Sequence, residues 1–524
     1  MVRNGKHTKI KILGLCMAFI FMAACSEDEN NEEKLPSSYI PQISEDPEPT
    51  DSIGDLDSSG ESSQDKEENS DSVSSKTAGE ILDYFREKTL DYAQEMLAGD
   101  FSVCDEFSEQ IKEVLSERDM KAAWKQAVQG LGEPVSEKMS AESSFLNSSA
   151  SGDTQGSIED FGGYVVTNAQ IPYETKIVIL SVTYDSAGAV AGIYLTYTLP
   201  ETTPEKTEDY TEYEVSIGEK KYPLSGLLTL PNKIENPPVV LLIQGSGQSD
   251  KNETIGAAGN TPFADIAQEL AKKGIASLRY NKRYYQYPEL AADDITIQDE
   301  VLDDVAAAIQ FLKEQTEIDK NRIYVLGHSL GGMLAPYIAE KNPEISGIIS
   351  LAGSPRGLWE IVYDQNIAAI KMANLGEAEE QNLRQMLQEE YEKVLSLVAD
   401  VRAGAADTLD KERLSEALFG VSGYYWVSLA EIDSAKSAQN LEIPILILQG
   451  DADFQVYPDR DYAAWQVLLE NKQNVSFQLF EGLNHLFMPS DGTMDVTEYD
   501  TKARVAPEVM DTIAAWIAET DKEQ

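Results

Sequence analysis

A chain of 524 residues with 42% hydrophobic content is long enough for two or three domains with cores of their own. Asp and Glu number 91 against 42 Lys and Arg, a formal net charge of -49, so the surface repels nucleic acid and anionic lipid headgroups, and no basic cluster in the body of the chain offsets this. Three cysteines, Cys16, Cys25 and Cys104, leave no disulfide framework for the folded part, and Cys104 reads as a small buried hydrophobe.

At the start, Arg3, Lys6, Lys9 and Lys11 precede the apolar run ILGLCMAFIFMAA. The run is shorter than the ~20 residues of a spanning helix and has the pattern of an export signal over residues 1–24. It ends MAAC, with small residues directly before Cys25, and so resembles the lipobox of bacterial lipoproteins, with Met22 where Leu is commoner. The resemblance implies cleavage before Cys25, lipid attachment to it, and a place on the cell membrane facing outside the cytoplasm. Residues 25–76 are then almost entirely Ser, Glu, Asp, Asn and Pro. Such a stretch buries too little apolar surface to offset chain entropy, and its like charges extend it, so an acidic tether is expected.

Order is expected from residue 77. Ile81, Tyr84, Phe85, Leu90 and Ala93 recur at helical spacing, and DMKAAWKQAVQGLG reads as a second helix closed by Gly130 or Gly132. KIVILSVTYDSAGAVAGIYLTYT then reads as two strands joined at Asp-Ser-Ala-Gly, a hairpin. Helices followed by an antiparallel sheet make a small α+β domain over 77–200. The segments LAGDFSVCDEFSEQIKEVLS and AGIYLTY resemble the NTF2-like/cystatin-like domain of unknown function found ahead of hydrolase domains in lipoproteins. LPETTPEKTED opens a linker, placed at 201–212, and this small domain carries no catalytic constellation of its own.

From Tyr213 the pattern changes. A hairpin, YEVSIG with LSGLLTLP, precedes the runs PPVVLLIQG, GIASLRY, NRIYVLGH, ISGIISLAG, IPILILQG and VSFQLFEG. The later runs are continuously apolar, as in strands covered on both faces, and amphipathic segments such as FADIAQELAKKG separate them. A doubly wound, mostly parallel α/β sheet is expected over 213–524. GHSLG, residues 327–331, sits between one of these strands and a helix. So tight a turn needs glycine on both sides, and it holds Ser329 out as a nucleophile above a helix N-terminus.

At this point residues 213–524 resemble the α/β-hydrolase superfamily, and VVLLIQGSGQSDKNET with FADIAQELAKKGIASLRYNKR resembles its esterase and serine-aminopeptidase-like group. Gln244 stands where many members have His, and Asn281 where Asp is usual. A serine hydroxyl needs a base. Of three histidines, His7 lies in the export signal and His328 adjoins the nucleophile and is expected to point away from it, which leaves His485 in FEGLNHLF. The acid that orients the base comes from LILQGDADFQV, where the superfamily pattern selects Asp453 and leaves Asp451 as the competitor. The order Ser329, Asp453, His485 is the order of this fold. For the oxyanion, the resemblance implies the backbone N–H groups of Leu330 and of Ser246, with Gly247 as the alternative to Ser246.

The stretch 355–440 is helical in pattern and falls where such hydrolases insert a cap. Tyr424, Tyr425 and Trp426 either line the pocket or glue the cap to the core. No metal or cofactor site is read, and the glycine loop lacks the GK[ST] of a phosphate cradle. The expected protein is a lipid-anchored serine hydrolase of small carboxylic esters. A peptidase gripping an amine with Glu379, Glu380, Glu389 or Glu390, an acyltransferase on the same triad, and a non-enzymatic envelope binding module are the alternatives, and oligomeric state stays open.

Overall fold

The computed structural model describes residues 76–523 except positions 113 and 374. The export signal, Cys25 and the acidic tether up to 75 lie outside the described residues. The chain divides into two compact units, one ending at Pro200 and one running from Glu201 to the C-terminus.

In the first unit a helix, α1 (Ala78–Leu97), opens on a capping box in which Thr77 and Glu80 satisfy each other's backbone N–H. It packs Ile81, Phe85 and Met96 on an antiparallel sheet ordered β1 (Ser140–Phe145), β2 (Val165–Pro172), β3 (Ile177–Tyr184), β4 (Val190–Thr198). The β3–β4 hairpin closes at Asp185, whose side chain accepts the N–H groups of Ala187 and Ala189, and Gly188 takes a positive φ of 79°. The second helix runs Glu117–Val128, just short of Gly130. Two strands are not read from the sequence: β1, SAESSF, is Ser-rich and mostly exposed, while β2, VVTNAQIP, does alternate buried with less buried positions. Cys104 is half-buried, and burial pushes its thiol up to about 11, so it stays protonated at neutral pH.

The second unit is built on an eight-stranded sheet. Its strands are β5 (Tyr210–Ile217), β6 (Leu224–Pro231), β7 (Val239–Ile243), β8 (Ala276–Tyr280), β9 (Ile323–His328), β10 (Ile345–Leu351), β11 (Ile445–Gly450) and β12 (Val475–Phe480). Their spatial order is β12-β11-β10-β9-β7-β8-β6-β5. The six from β7 onward are parallel, and the β5–β6 hairpin joins antiparallel at β8. This is the doubly wound sheet expected from the continuous apolar runs.

Those runs are explained by two-sided burial. Val239, Leu241 and Ile243 of β7, with Ile323 and Val325 of β9, enter one core, while Val240, Leu242, Tyr324 and Leu326 enter the other. Helix α2 (Asp303–Glu314) and α3 (Leu330–Lys341) cover the first face, and the segments Pro262–Lys272 and Pro507–Glu523 the second. Between β10 and β11 lies a helical insertion with α4 (Leu358–Met372), α5 (Glu377–Arg402), α6 (Gly423–Ala430) and α7 (Ser434–Asn440). The parallel strands point their carboxyl ends the same way, so the loops after β7, β9, β11 and β12 meet at one edge.

Candidate active site

Every candidate residue leaves the sheet at that edge. Ser329 follows β9 with φ 52° and ψ -113°, a left-handed conformation that non-glycine residues hold only where the surroundings impose it. The surroundings here are steric. A Cβ on Gly327 would stand 2.1 Å from the carbonyl of Gly331, and one on Gly331 2.4 Å from Ile243 O. The two glycines let α3 rise directly from the strand end, with Ser329 at its N-terminal tip. Ser329 N–H is held by Leu351 O at 2.8 Å, and its hydroxyl makes no hydrogen bond to a described residue.

His485 follows β12 and is buried. Its Nδ1–H donates to Asp453 Oδ2 at 2.8 Å, so Nε2 carries the lone pair. The Asp453 carboxylate is buried too and fully engaged: Gln449 Nε2 donates to Oδ2 at 2.7 Å, and the Gln455 and Val456 amides to Oδ1 at 2.8 and 2.9 Å. Four donors fix the orientation of the acid. Asp451 instead is exposed and accepts Gly482 N–H at 2.6 Å, a loop-capping role.

The loop after β7 lies against the serine, since a Cβ on Gly245 would stand 3.3 Å from Ser329 Cβ. Its amides are divided. Gly245 N–H donates to Glu253 Oε1 at 2.7 Å and Gly247 N–H to Glu300 Oε1 at 3.0 Å. Ser246 N–H between them has no acceptor among the described residues, nor does Leu330 N–H in the first turn of α3. Two unpaired amides beside a serine at a helix N-terminus form a ready anion site.

Three residues of this wall escaped sequence reasoning: Glu253, Lys282 and Glu300. A fourth, His328, was set aside there and is here drawn into the site. Its ring stands 4.6 Å from that of His485, its Nε2 faces His485 O at 3.0 Å and its Nδ1 faces Glu253 Oε1 at 3.0 Å. A carbonyl and a carboxylate both ask for a donor, so the pair carries a proton on each ring nitrogen or shares one with Glu253. Burial works against the imidazolium, but the Glu253 charge and the two acceptors outweigh it and hold the His328 pKa above the ordinary 6.5. No signal along the chain flags the pair: its structural mark is the positive φ of Glu253, 53°. That conformation is not readable from sequence.

The raised His328 value makes a stability prediction. Its contribution is complete below about pH 6.5, the unfolded value, and is lost as pH rises through the higher folded value. Melting temperature is therefore expected to decline with pH above 6.5, and Glu253→Gln, which keeps the acceptor for Gly245 but not the charge, flattens that decline. Calorimetry of both proteins from pH 6 to 9 checks this, and equal slopes would contradict it.

The aromatic trio of the insertion separates by role. Trp426 is buried and donates Nε1–H to Leu418 O at 2.9 Å, gluing the insertion together, while Tyr424 is half-buried. Tyr425 is buried and donates its hydroxyl to Glu300 Oε2 at 2.6 Å; burial, with that carboxylate beside it, holds its pKa well above the phenol range. Gln244 and Asn281 serve backbone, on Tyr280 O and on Lys251 N–H. Among the described residues no group of three or more His, Cys, Asp or Glu is placed to hold a metal ion.

Beside the acid loop lies a cavity of about 190 Å³ lined by Gln365, Ala369, Met372, Phe454, Tyr457 and Met494, among others. Its walls carry no ionised side chain. The four carboxylates considered for an amine clamp lie elsewhere. Glu379 is exposed, Glu380 pairs with Arg384 at 2.8 Å, Glu389 accepts from Gln385, and Glu390 accepts Phe419 N–H at 2.8 Å.

Comparison with known proteins agrees with this architecture. Residues 260–491 match the model of the family described as serine aminopeptidase, S33. Esterase EstD of Thermotoga maritima is 33% identical over 358 residues, which is 68% of this chain and 80% of that protein. Among solved structures, Est1E from Butyrivibrio proteoclasticus is 18% identical, covering 59% of this chain and 99% of its own, with a TM-score of 0.36. Esterase Pf2001 of Pyrococcus furiosus is 15% identical, covering 61% and 96%, with a TM-score of 0.37. With the sheet order, the glycine-flanked serine and a relative at this identity over most of its length, the chain belongs to the α/β-hydrolase family and is a hydrolase of that family.

Proposed function

We propose that the protein is a serine hydrolase of small carboxylic esters, working through Ser329, His485 and Asp453 and held on the outer face of the cell membrane by a lipid on Cys25. The observation that carries the chemistry is the buried His485 Nδ1–Asp453 Oδ2 bond of 2.8 Å, which leaves Nε2 as a base at the edge where Ser329 emerges. In acylation, Ser329 Oγ bonds to the carbonyl carbon and its proton passes to His485 Nε2. The carbonyl π pair moves to oxygen, held by the N–H groups of Leu330 and Ser246. Collapse expels the alcohol, which takes the proton from His485. Water repeats the sequence on the acyl-enzyme, releasing the acid and restoring Ser329.

Support for an ester over a peptide comes from the esterase named among the relatives. The anchor rests on the lipobox resemblance of residues 22–25 and the acidic stretch after it.

The test is turnover of nitrophenyl esters from acetate to decanoate, with aminoacyl anilides in parallel. Ester turnover abolished by one equivalent of a fluorophosphonate is expected, and its chain-length profile sizes the acyl pocket. Anilide turnover without ester turnover would replace this reading with a peptidase, and silence on both with an unreactive serine would return the binding module. Cys25→Ala is expected to move the protein from the membrane fraction to the soluble one.

A further inference from the structure

The loop that carries Ser246 is held by an ionic bracket that no catalytic step uses. Glu300 Oε1 accepts Gly247 N–H at 3.0 Å and Lys282 Nζ at 2.6 Å, and Lys282 Nζ reaches on to Gly245 O at 2.9 Å. One carboxylate and one ammonium thus grip the residues on both sides of Ser246. Lys282 is buried, at 5% side-chain exposure, and Glu300 is largely enclosed, at 11%. Burial of an ion pair costs solvation, so it is weak evidence for stability alone and asks for another role. The second oxygen of Glu300 accepts the Tyr425 hydroxyl of α6 at 2.6 Å, across 125 residues of sequence. A second bond links the same parts, Ile297 N–H to Ser428 Oγ at 3.0 Å. Glu300 itself sits on a π-helical turn, Gln298–Leu302, that precedes α2. Such turns insert one residue and re-aim its side chain, and they recur at functional sites.

We propose that Glu300 is a positioning residue for the oxyanion loop, and that Tyr425 of the helical insertion holds Glu300 in place, so the insertion helps set transition-state stabilisation. The proposal rests on Ser246 N–H being an oxyanion donor, as read above. Glu300 occupies the Gly247 amide and Lys282 occupies the Gly245 carbonyl, which fixes the residues on both sides of Ser246, whose own N–H has no acceptor among the described residues. Lys282 also balances the Glu300 charge, which would otherwise repel an oxyanion forming beside it. Because the bracket acts on a group that binds developing negative charge, its loss is expected in kcat and in affinity for a tetrahedral adduct, with KM little changed.

The test compares full-length wild type, Glu300→Gln and Tyr425→Phe, with active sites counted by fluorophosphonate titration. Each is assayed on nitrophenyl butyrate and with a trifluoromethyl ketone, whose carbonyl carbon takes the Ser329 Oγ, sending its π pair to the oxyanion site and the serine proton to His485. Losing one oxyanion donor outright costs about 10²- to 10³-fold, and displacing it less. Glu300→Gln is expected to lower kcat per titrated site and ketone affinity together by about 10- to 100-fold, and Tyr425→Phe by a smaller factor along the same line. A merely structural role lowers the titrated fraction or the melting temperature and leaves both quantities per site at wild-type values, which overturns the proposal. Should Glu300→Gln fail to fold, Tyr425→Phe, which removes one oxygen, decides alone. If wild type binds the ketone and Tyr425→Phe binds it equally, the positioning role is wrong and the esterase reading stands. If wild type neither hydrolyses the ester nor binds the ketone, both fall.

Discussion

Ser329→Ala is expected to reduce kcat on nitrophenyl butyrate by about 10⁶-fold, to a residue set by binding and oxyanion contacts alone. The change removes the atom proposed to bond to substrate, and the hydroxyl holds no hydrogen bond to a described residue. The fold and melting temperature should be unchanged. Asp453→Asn gives the companion measurement. It keeps shape but presents an amide to His485, favouring the tautomer whose Nε2 is protonated, and is expected to cost about 10⁴-fold. Gln449 Nε2 and two backbone amides then also face a neutralised acceptor. On the proposed triad the three residues act as one unit, so the double variant is expected to be no slower than Ser329→Ala. Stopped-assay kcat values for the three proteins check this, and additive losses would contradict a shared step.

Gly327→Ala carries the largest stability effect. The added Cβ would lie 2.1 Å from Gly331 C and O and 2.5 Å from Gly332 N, all backbone of α3. A flexible side chain could yield, but a helix start packed on β7 cannot, because Gly331 sits so close to that strand that a Cβ on it would stand 2.4 Å from Ile243 O. Over-packing in a close-packed core costs 1–3 kcal/mol or somewhat more, and a backbone clash at the sheet's centre exceeds that, roughly 5 kcal/mol or above on the scale of total domain stability. The expected result is insoluble or unfolded protein. Gly376→Ala is the control, with φ -64° and nothing within 4 Å of the new methyl, and should match wild type in thermal unfolding. A folded, active Gly327→Ala would mean that the strand-to-helix turn is not built as described.

Much of the fold was legible because its causes are local. Two-sided burial leaves continuous apolar runs at β7, β9, β10 and β11, and steric crowding at a strand-to-helix turn leaves glycines at 327 and 331. Each signal lies within about ten residues. The small unit was less legible. Its β1 is Ser-rich and largely solvent-facing, so it pairs with β2 through backbone and leaves no apolar alternation to read.

The site shows the same division. By itself the sequence determined the family's strand-turn-helix around Ser329, and the shortage of histidines singled out His485. The family pattern selected Asp453 over Asp451, two residues away on one loop, and the tertiary structure shows the reason in direction, Asp453 facing His485 and Asp451 facing Gly482 N–H. Only the tertiary structure decided that Gly247 N–H is occupied while Ser246 N–H is free, that His328 turns toward Glu253, and that Tyr425 reaches Glu300. The partners in those last two contacts stand 75 and 125 residues apart. A parallel sheet brings such residues together by strand order and crossover, and the hydrogen bond that results depends on distance and direction at the carboxyl edge. No pattern along the chain records either quantity.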